Sequence, residues 1–215
     1  MTMKEIYPSL YQFTLTIPGM GFTIHQYLLN GEAPVLFATG IEQQAVTILK
    51  EIKIILGEKQ LEYIFVSHME SDECGGLPVF MEAYPDVKVI CSELTVRELS
   101  GFGVNVNTIA CNSKAELKDR NLDLKFIDYP SEVHLQNGII AIDRNSGVLY
   151  SGDLFLSFGE AAGICKETAW ETEINALDEQ RVPNAAMCDK IKAELRTLRP
   201  KFVAVGHGFC LKLPA

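Results

Sequence analysis

The sequence predicts an α+β protein, a four-layer αββα sandwich, on three observations. β-prone runs open each half of the chain, stretches of helical periodicity follow them, and a short apolar strand comes after the last helix. Helices outside two largely β interiors suit a sandwich better than a doubly wound parallel sheet. No Gly/Ser-rich or Pro-rich linker divides the chain and no spacing suggests a repeat array, so one domain over residues 1–215 is expected.

Residues 10–17 and 24–29 are β-prone and flank Pro18-Gly19-Met20-Gly21, turn chemistry that predicts an opening hairpin. Residues 35–38 continue the sheet. From Ile41 onward Ala45, Ile48, Leu49, Ile52, Ile55 and Leu56 recur at helical spacing, and Gly57 is placed to end that helix. A buried strand at residues 63–66 runs into His68, and helices at 75–84 and 93–99 flank a strand at 87–91. The second half opens with a strand at 124–129. A hairpin of 139–142 and 148–150 follows across Asn145-Ser146-Gly147, where Asn and Gly tolerate positive φ. Pro183 starts a helix with an apolar stripe of Met187, Cys188, Ile191, Leu195 and Leu198, and Pro200 stops it before the last strand at 202–205.

Composition narrows the function classes. With 47% hydrophobic and 22% charged residues the chain is of ordinary globular type, and a formal net charge of -9 excludes nucleic acid as a partner, since that binding relies on clustered Lys and Arg. The N-terminus lacks the apolar core of a signal peptide and no stretch is long enough to cross a bilayer, so a cytoplasmic protein without membrane contact is expected. Cys74, Cys91, Cys111, Cys165, Cys188 and Cys210 form no CxxC pair and read as reduced thiols, Cys74 as a small apolar filler beside the strongest motif.

That motif is Ser67-His68-Met69-Glu70-Ser71-Asp72-Glu73-Cys74-Gly75-Gly76, directly after the buried strand. In an extended segment His68, Glu70 and Asp72 would point the same way and converge. Carboxylates packed so closely repel one another unless a divalent cation turns the crowding into attraction. An isolated acid cluster is usually a solvated loop, but three further features weigh against that here. His134 lies in a polar turn between two strands; Gly152-Asp153 ends another strand, with the glycine allowing close backbone approach; and His207 sits between Gly206 and Gly208 at the end of an apolar strand. His25 fits no such pattern and is expected to be structural or to support the site from behind.

Together these residues resemble the metallo-β-lactamase superfamily, whose HxHxDH motif is followed by a His, an Asp and a His at later strand ends. Glu70 replaces the second His, and the resulting HxExD is similar to the diiron core of flavodiiron proteins. The resemblance implies that His68, Glu70 and His134 bind one iron, that Asp72 and His207 bind the other, and that Asp153 bridges them. It thus implies two iron ions, ferrous or ferric, with a bridging oxo, hydroxo or peroxo group. Glu73 takes the place of the motif's last His and is left open as an extra ligand, a partner of bound water or a solvent-facing residue. Hard carboxylate oxygens suit iron better than zinc, which favours nitrogen and sulfur.

Flavodiiron proteins reduce oxygen or nitric oxide with a flavodoxin domain. No Gly-rich phosphate loop occurs here, so no flavin is expected in this chain. A site without an attached donor is expected to bind dioxygen rather than turn it over efficiently, and the chain resembles stand-alone oxygen-binding diiron proteins associated with chemotaxis and signalling. The expected partners are dioxygen, with nitric oxide as a second ligand, and a signalling or electron-donor protein; a homodimer is left open. Exposed loops around Glu73 and residues 155–163 are the expected carriers of a signal. The alternatives are an oxygen or nitric oxide reductase served by a separate donor and, ranked last, a metal-dependent hydrolase.

Overall fold

The structure, a computed structural model, describes residues 1–129 and 138–214. In chain order its elements are β1 (Thr2–Tyr7), β2 (Leu10–Ile17), β3 (Phe22–Leu29), β4 (Val35–Phe37), α1 (Glu42–Leu56), β5 (Tyr63–Phe65), α2 (Ser71–Cys74), α3 (Leu77–Ala83), β6 (Lys88–Ser92), α4 (Glu93–Gly101), β7 (Thr108–Cys111), β8 (Glu116–Asp119), β9 (Leu122–Asp128), β10 (Ile139–Asp143), β11 (Val148–Tyr150), β12 (Cys165–Glu167), α5 (Trp170–Ala176), α6 (Ala185–Arg196), β13 (Phe202–Ala204) and β14 (Cys210–Lys212). They form two seven-stranded sheets, ordered β1-β2-β3-β4-β5-β6-β7 and β12-β14-β13-β11-β10-β9-β8.

The first sheet starts antiparallel through β4 and becomes parallel from β4 to β7. Parallel pairing needs crossovers, and α1 together with α3 and α4 supplies them. α1 forms where the spacing predicts it: Ile41 N–H donates to Gln44 Oε1, Glu42 complements the positive helix start, and Gly57, at φ +60, returns its N–H to Lys53 O. Its buried stripe of Ala45, Ile48, Ile52 and Leu56 joins Leu77 and Phe80 of α3 against Leu28, Leu36, Ile64 and Val89 of the sheet.

A second, larger cluster fills the space between the sheets and reaches α5 and α6. Its centre is aromatic. Phe65 of β5 lies 6.1 Å from Phe126 of β9, and Tyr150 of β11 packs 5.3 Å from Phe37 and 6.0 Å from Tyr27. Each such ring removes enough apolar surface from water to contribute about 1.5–3 kcal/mol.

Several elements differ from the sequence reading, each for a local reason. Ser71–Cys74 is a helical turn rather than extended chain, because Glu73 and Cys74 N–H donate to Glu70 O and the following Gly75 N–H donates to Ser71 O. β1, β7, β8, β12 and α5 were missed: β1 is largely exposed and β8 half exposed, so neither carries a strong apolar alternation. The last strand is β14, not residues 202–205. Met187, placed on the α6 stripe, is 38% exposed, whereas Cys188, Ile191 and Leu195 are buried as expected.

α1 and α3 approach closely at Gly76, where a Cβ would lie 2.4 Å from Ala45 Cβ and 3.0 Å from Thr39 O. Neither neighbour is a flexible side-chain end. Gly76→Ala should therefore cost roughly 1–3 kcal/mol of overpacking, read as a lower urea midpoint at unchanged slope.

Candidate metal centre

Strand ends from both sheets meet at one edge of the sandwich. β5 of the first sheet leads to His68, while β11 and β13, parallel neighbours in the second, lead to Asp153 and His207. Glu70, with φ -129 and ψ 159, is the N-cap of α2, and Asp72 sits in its first turn. The helical turn does what the expected extended strand would have done, since both carboxylates stay beside the histidines.

The two imidazoles face opposite oxygens of one carboxylate. His68 Nε2 lies 3.8 Å from Asp153 Oδ2 and 3.7 Å from Glu70 Oε2, while His207 Nε2 lies 3.3 Å from Asp153 Oδ1 and 3.3 Å from Asp72 Oδ2. Ligand atoms of His68, Glu70 and Asp153 all fall within 4.8 Å of one another. His68 Nε2 is buried with no hydrogen-bond partner among the described residues. A buried nitrogen in that position, facing carboxylates beyond hydrogen-bond reach, fits a lone pair held for a cation. His134 lies outside the described residues.

Support from behind orients both rings. His207 Nδ1 is 3.0 Å from Thr23 O, and since a carbonyl only accepts, Nδ1 carries a proton and Nε2 is the nitrogen whose lone pair is freed when the ring is neutral. Phe22 stacks on the same ring at 4.5 Å. His68 Nδ1 is 2.6 Å from Ser67 Oγ. His25 stays neutral, its pKa lowered by burial to about 4, although the Gly208 carbonyl raises it and His207 lowers it further. His25 Nε2–H donates to Gly208 O at 2.9 Å and Thr14 Oγ1 donates to its Nδ1 at 2.8 Å, fixing the loop that follows His207. Two glycines permit this crowding. A Cβ on Gly152, at φ +49, would lie 2.8 Å from Ser67 Oγ, and one on Gly208, at φ +87, would lie 2.2 Å from Ser157 O.

Glu73 points away from solvent and under the site. It is 3% exposed, accepts a short hydrogen bond from Tyr150 Oη on Oε1, and accepts from Ser67 N at 3.3 Å on Oε2. The loop around Glu73, expected to be exposed, is therefore buried at that residue. In the second expected loop Phe158 is exposed and Phe155 and Ala161 are not. Sequence reasoning missed Thr23, Ser67, Phe22 and Tyr150. Alternation along β3 does put Thr23 on the face of His25, but a hydroxyl or a backbone carbonyl carries no motif.

Burial disfavours charge on both histidines, yet the carboxylates outweigh it. Glu70, Glu73 and Asp153 raise His68 to about 9, and Asp153 and Asp72 raise His207 to about 10. Without a cation, protons on these rings balance the acids; a metal would take their place. The cluster offers two imidazoles and the carboxylates of Glu70, Asp72 and Asp153, an oxygen-rich set suited to a hard ion.

The profile of the ODP family beta lactamase matches residues 22–208. Among curated proteins, diflavin flavoprotein A 2 from Nostoc sp. is 23% identical over 200 residues, covering 87% of this chain and 33% of its own length. Nitric oxide reductase from Moorella thermoacetica is 27% identical over 139 residues, covering 63% and 34%. This chain thus spans about a third of the length of these relatives. Of solved structures, rubredoxin oxygen:oxidoreductase from Desulfovibrio gigas superimposes with a TM-score of 0.79 at 21% identity, over 98% of this chain and 57% of that one. A variant of the flavo di-iron protein from Thermotoga maritima gives 0.80 at 17%, over 98% and 57%. The two-sheet fold is that of the metallo-β-lactamase-like core of these proteins.

The raised histidines fix the sign of a pH effect. Groups whose folded pKa exceeds the unfolded value of about 6.5 stabilise fully below that pH, and the gain is lost as pH rises towards the folded values. Chelator-stripped protein should melt at progressively lower temperature from pH 6 to about 7.5, short of the ionisation of unfolded thiols near pH 8.5. A His68→Gln/His207→Gln double variant should show a flatter profile in the same calorimetric series.

Proposed function

Because the chain belongs to the ODP family of beta lactamases, we propose that its histidine and carboxylate cluster holds two iron ions and binds dioxygen, with the bound state as the protein's output. Asp153 is the observation that carries this reading: its two oxygens face the two histidine Nε2 atoms, the disposition of a carboxylate bridging two ions. His68 and Glu70 would hold one ion and Asp72 and His207 the other, with His134 joining the first set. When bound, the iron pair supplies electrons to a diatomic ligand.

The residues around it do the rest. Thr23 O and Ser67 Oγ aim the imidazoles, and Glu73, tied to Tyr150, leaves the place of the motif's last His without a ligand side chain. A sensing output needs a route to the surface, because a ligand biases only states it binds unequally. Phe22 offers one, stacked on His207 and 5.7 Å from Phe158, which is 68% exposed. A second reading, reduction of oxygen or nitric oxide with electrons from a separate protein, is favoured by the names of the relatives from Moorella thermoacetica and Megalodesulfovibrio gigas. The oxygen-rich donor set argues against a zinc hydrolase.

Protein loaded anaerobically should hold about two irons per chain by elemental analysis, as two partial ligand sets sharing one carboxylate require. Asp153→Ala should hold less than about one, and Glu73→Gln should stay near two, since the loss of a direct ligand outweighs that of a supporting group. Chiefly zinc in the native protein, with no iron uptake by the stripped form, would overturn the assignment.

Mixing the ferrous protein with oxygen should give one visible absorption band that persists for many seconds. Sustained oxygen consumption above about 1 s⁻¹ with NADH and a generic flavoprotein donor would instead place the protein among the reductases.

A further inference from the structure

Six cysteines are free, and all but Cys165 are buried. Among the described residues, Cys165 and Cys210 alone face each other as direct partners in a ladder, on the parallel pair β12–β14. Directly opposed residues on neighbouring strands send their side chains to the same face, and the strands lie about 4.8 Å apart. That spacing falls inside the roughly 4.4–6.8 Å between Cα atoms that a disulfide spans. The position of Cys210 Sγ shows which face is involved: it is 3.1 Å from Tyr27 Oη and 3.4 Å from Gln12 Nε2, in the space between the sheets. Cys165 packs against that same core while keeping partial exposure.

We propose that Cys165 and Cys210 are a reversible dithiol–disulfide pair, oxidised by hydrogen peroxide. This assignment stands on the strand register and is independent of the metal reading. Cys165 is the attacking sulfur because it alone of the two is reachable from solvent. Burial raises both thiols, but Lys4 and Lys212 pull Cys165 back, whereas Cys210 is pushed to about 12.

The Cys165 thiolate attacks one peroxide oxygen; the S–O bond forms as O–O breaks, and the departing hydroxide takes a proton to become water. Cys210 sulfur then attacks the sulfenic sulfur, the S–S bond forms as S–O breaks, and the leaving hydroxide takes the Cys210 proton. Two thiols lose two electrons in all, and one peroxide becomes two waters.

The surroundings suit reversibility. β12 is a three-residue strand at the edge of its sheet, so it can shift to let the sulfurs meet. A link forced between adjacent strands is of the strained kind that thiols reduce readily.

The test is peptide mapping of the full chain, both metal-loaded and chelator-stripped, after a peroxide titration quenched with N-ethylmaleimide. In both forms a Cys165–Cys210 linked peptide should appear, with two fewer alkylated thiols than the six of the reduced protein, and dithiothreitol should restore all six. Cys210→Ser should leave Cys165 as a dimedone-reactive sulfenic acid. Cys165→Ser replaces a half-exposed side chain in an edge strand, so it keeps the test open should the buried variant fail to fold; it should retain its remaining thiols at the same dose. Wild-type protein that keeps six alkylated thiols, oxidises Cys165 beyond the sulfenic level without a link, or links a different pair would overturn the proposal.

Discussion

The architecture answers to one electrostatic problem, three carboxylates and two imidazoles gathered at the seam between two sheets. Glu70, Asp72 and Asp153 repel one another there, and the protein offsets that repulsion with cations, either protons on His68 and His207 or a metal. Little else at this edge is free to vary. Gly152 and Gly208 occupy positions where a side chain would collide, and Thr23 O leaves His207 a single tautomer. The parallel pairing of β11 and β13 brings Asp153 and His207 to the same end.

Beneath the cluster lies a second polar layer, made by Glu73, Tyr150 and Ser67. Glu73 is buried among aromatic rings yet keeps two donors, Tyr150 Oη and Ser67 N, and burial holds its carboxyl above the usual range. Tyr150 touches Phe37, Phe65 and Tyr27, so the carboxylate is fixed by the same residues that join the two sheets. Site and core therefore share side chains, and a change in one is felt in the other.

The parts legible in the sequence were those whose signal is local. Hairpins with Gly-containing turns, the α1 stripe closed by Gly57, and acid or histidine residues after apolar strands could all be read without coordinates. Five of the expected ligands, His68, Glu70, Asp72, Asp153 and His207, do lie together. What escaped depends on tertiary context. The α2 turn follows from backbone bonds that no periodicity announces. Exposed β1 carries no apolar alternation because only its pairing with β2 makes it a strand. Glu73 reads as one more acid in an acidic loop until Tyr150, far along the chain, is seen to hold it.

Asp153 also ties the cluster to the order in which the chain is made. His68, Glu70 and Asp72 leave the ribosome first, and alone they offer a cation one imidazole and two carboxylates. Asp153 and His207 come later, and β13 must pair with β11 before their side chains stand together. Closure of the second sheet and completion of the cluster are therefore one event. At the proposed metal site, a cation met by the nascent chain would find half a cage, and one met after that event would be held by side chains from both halves.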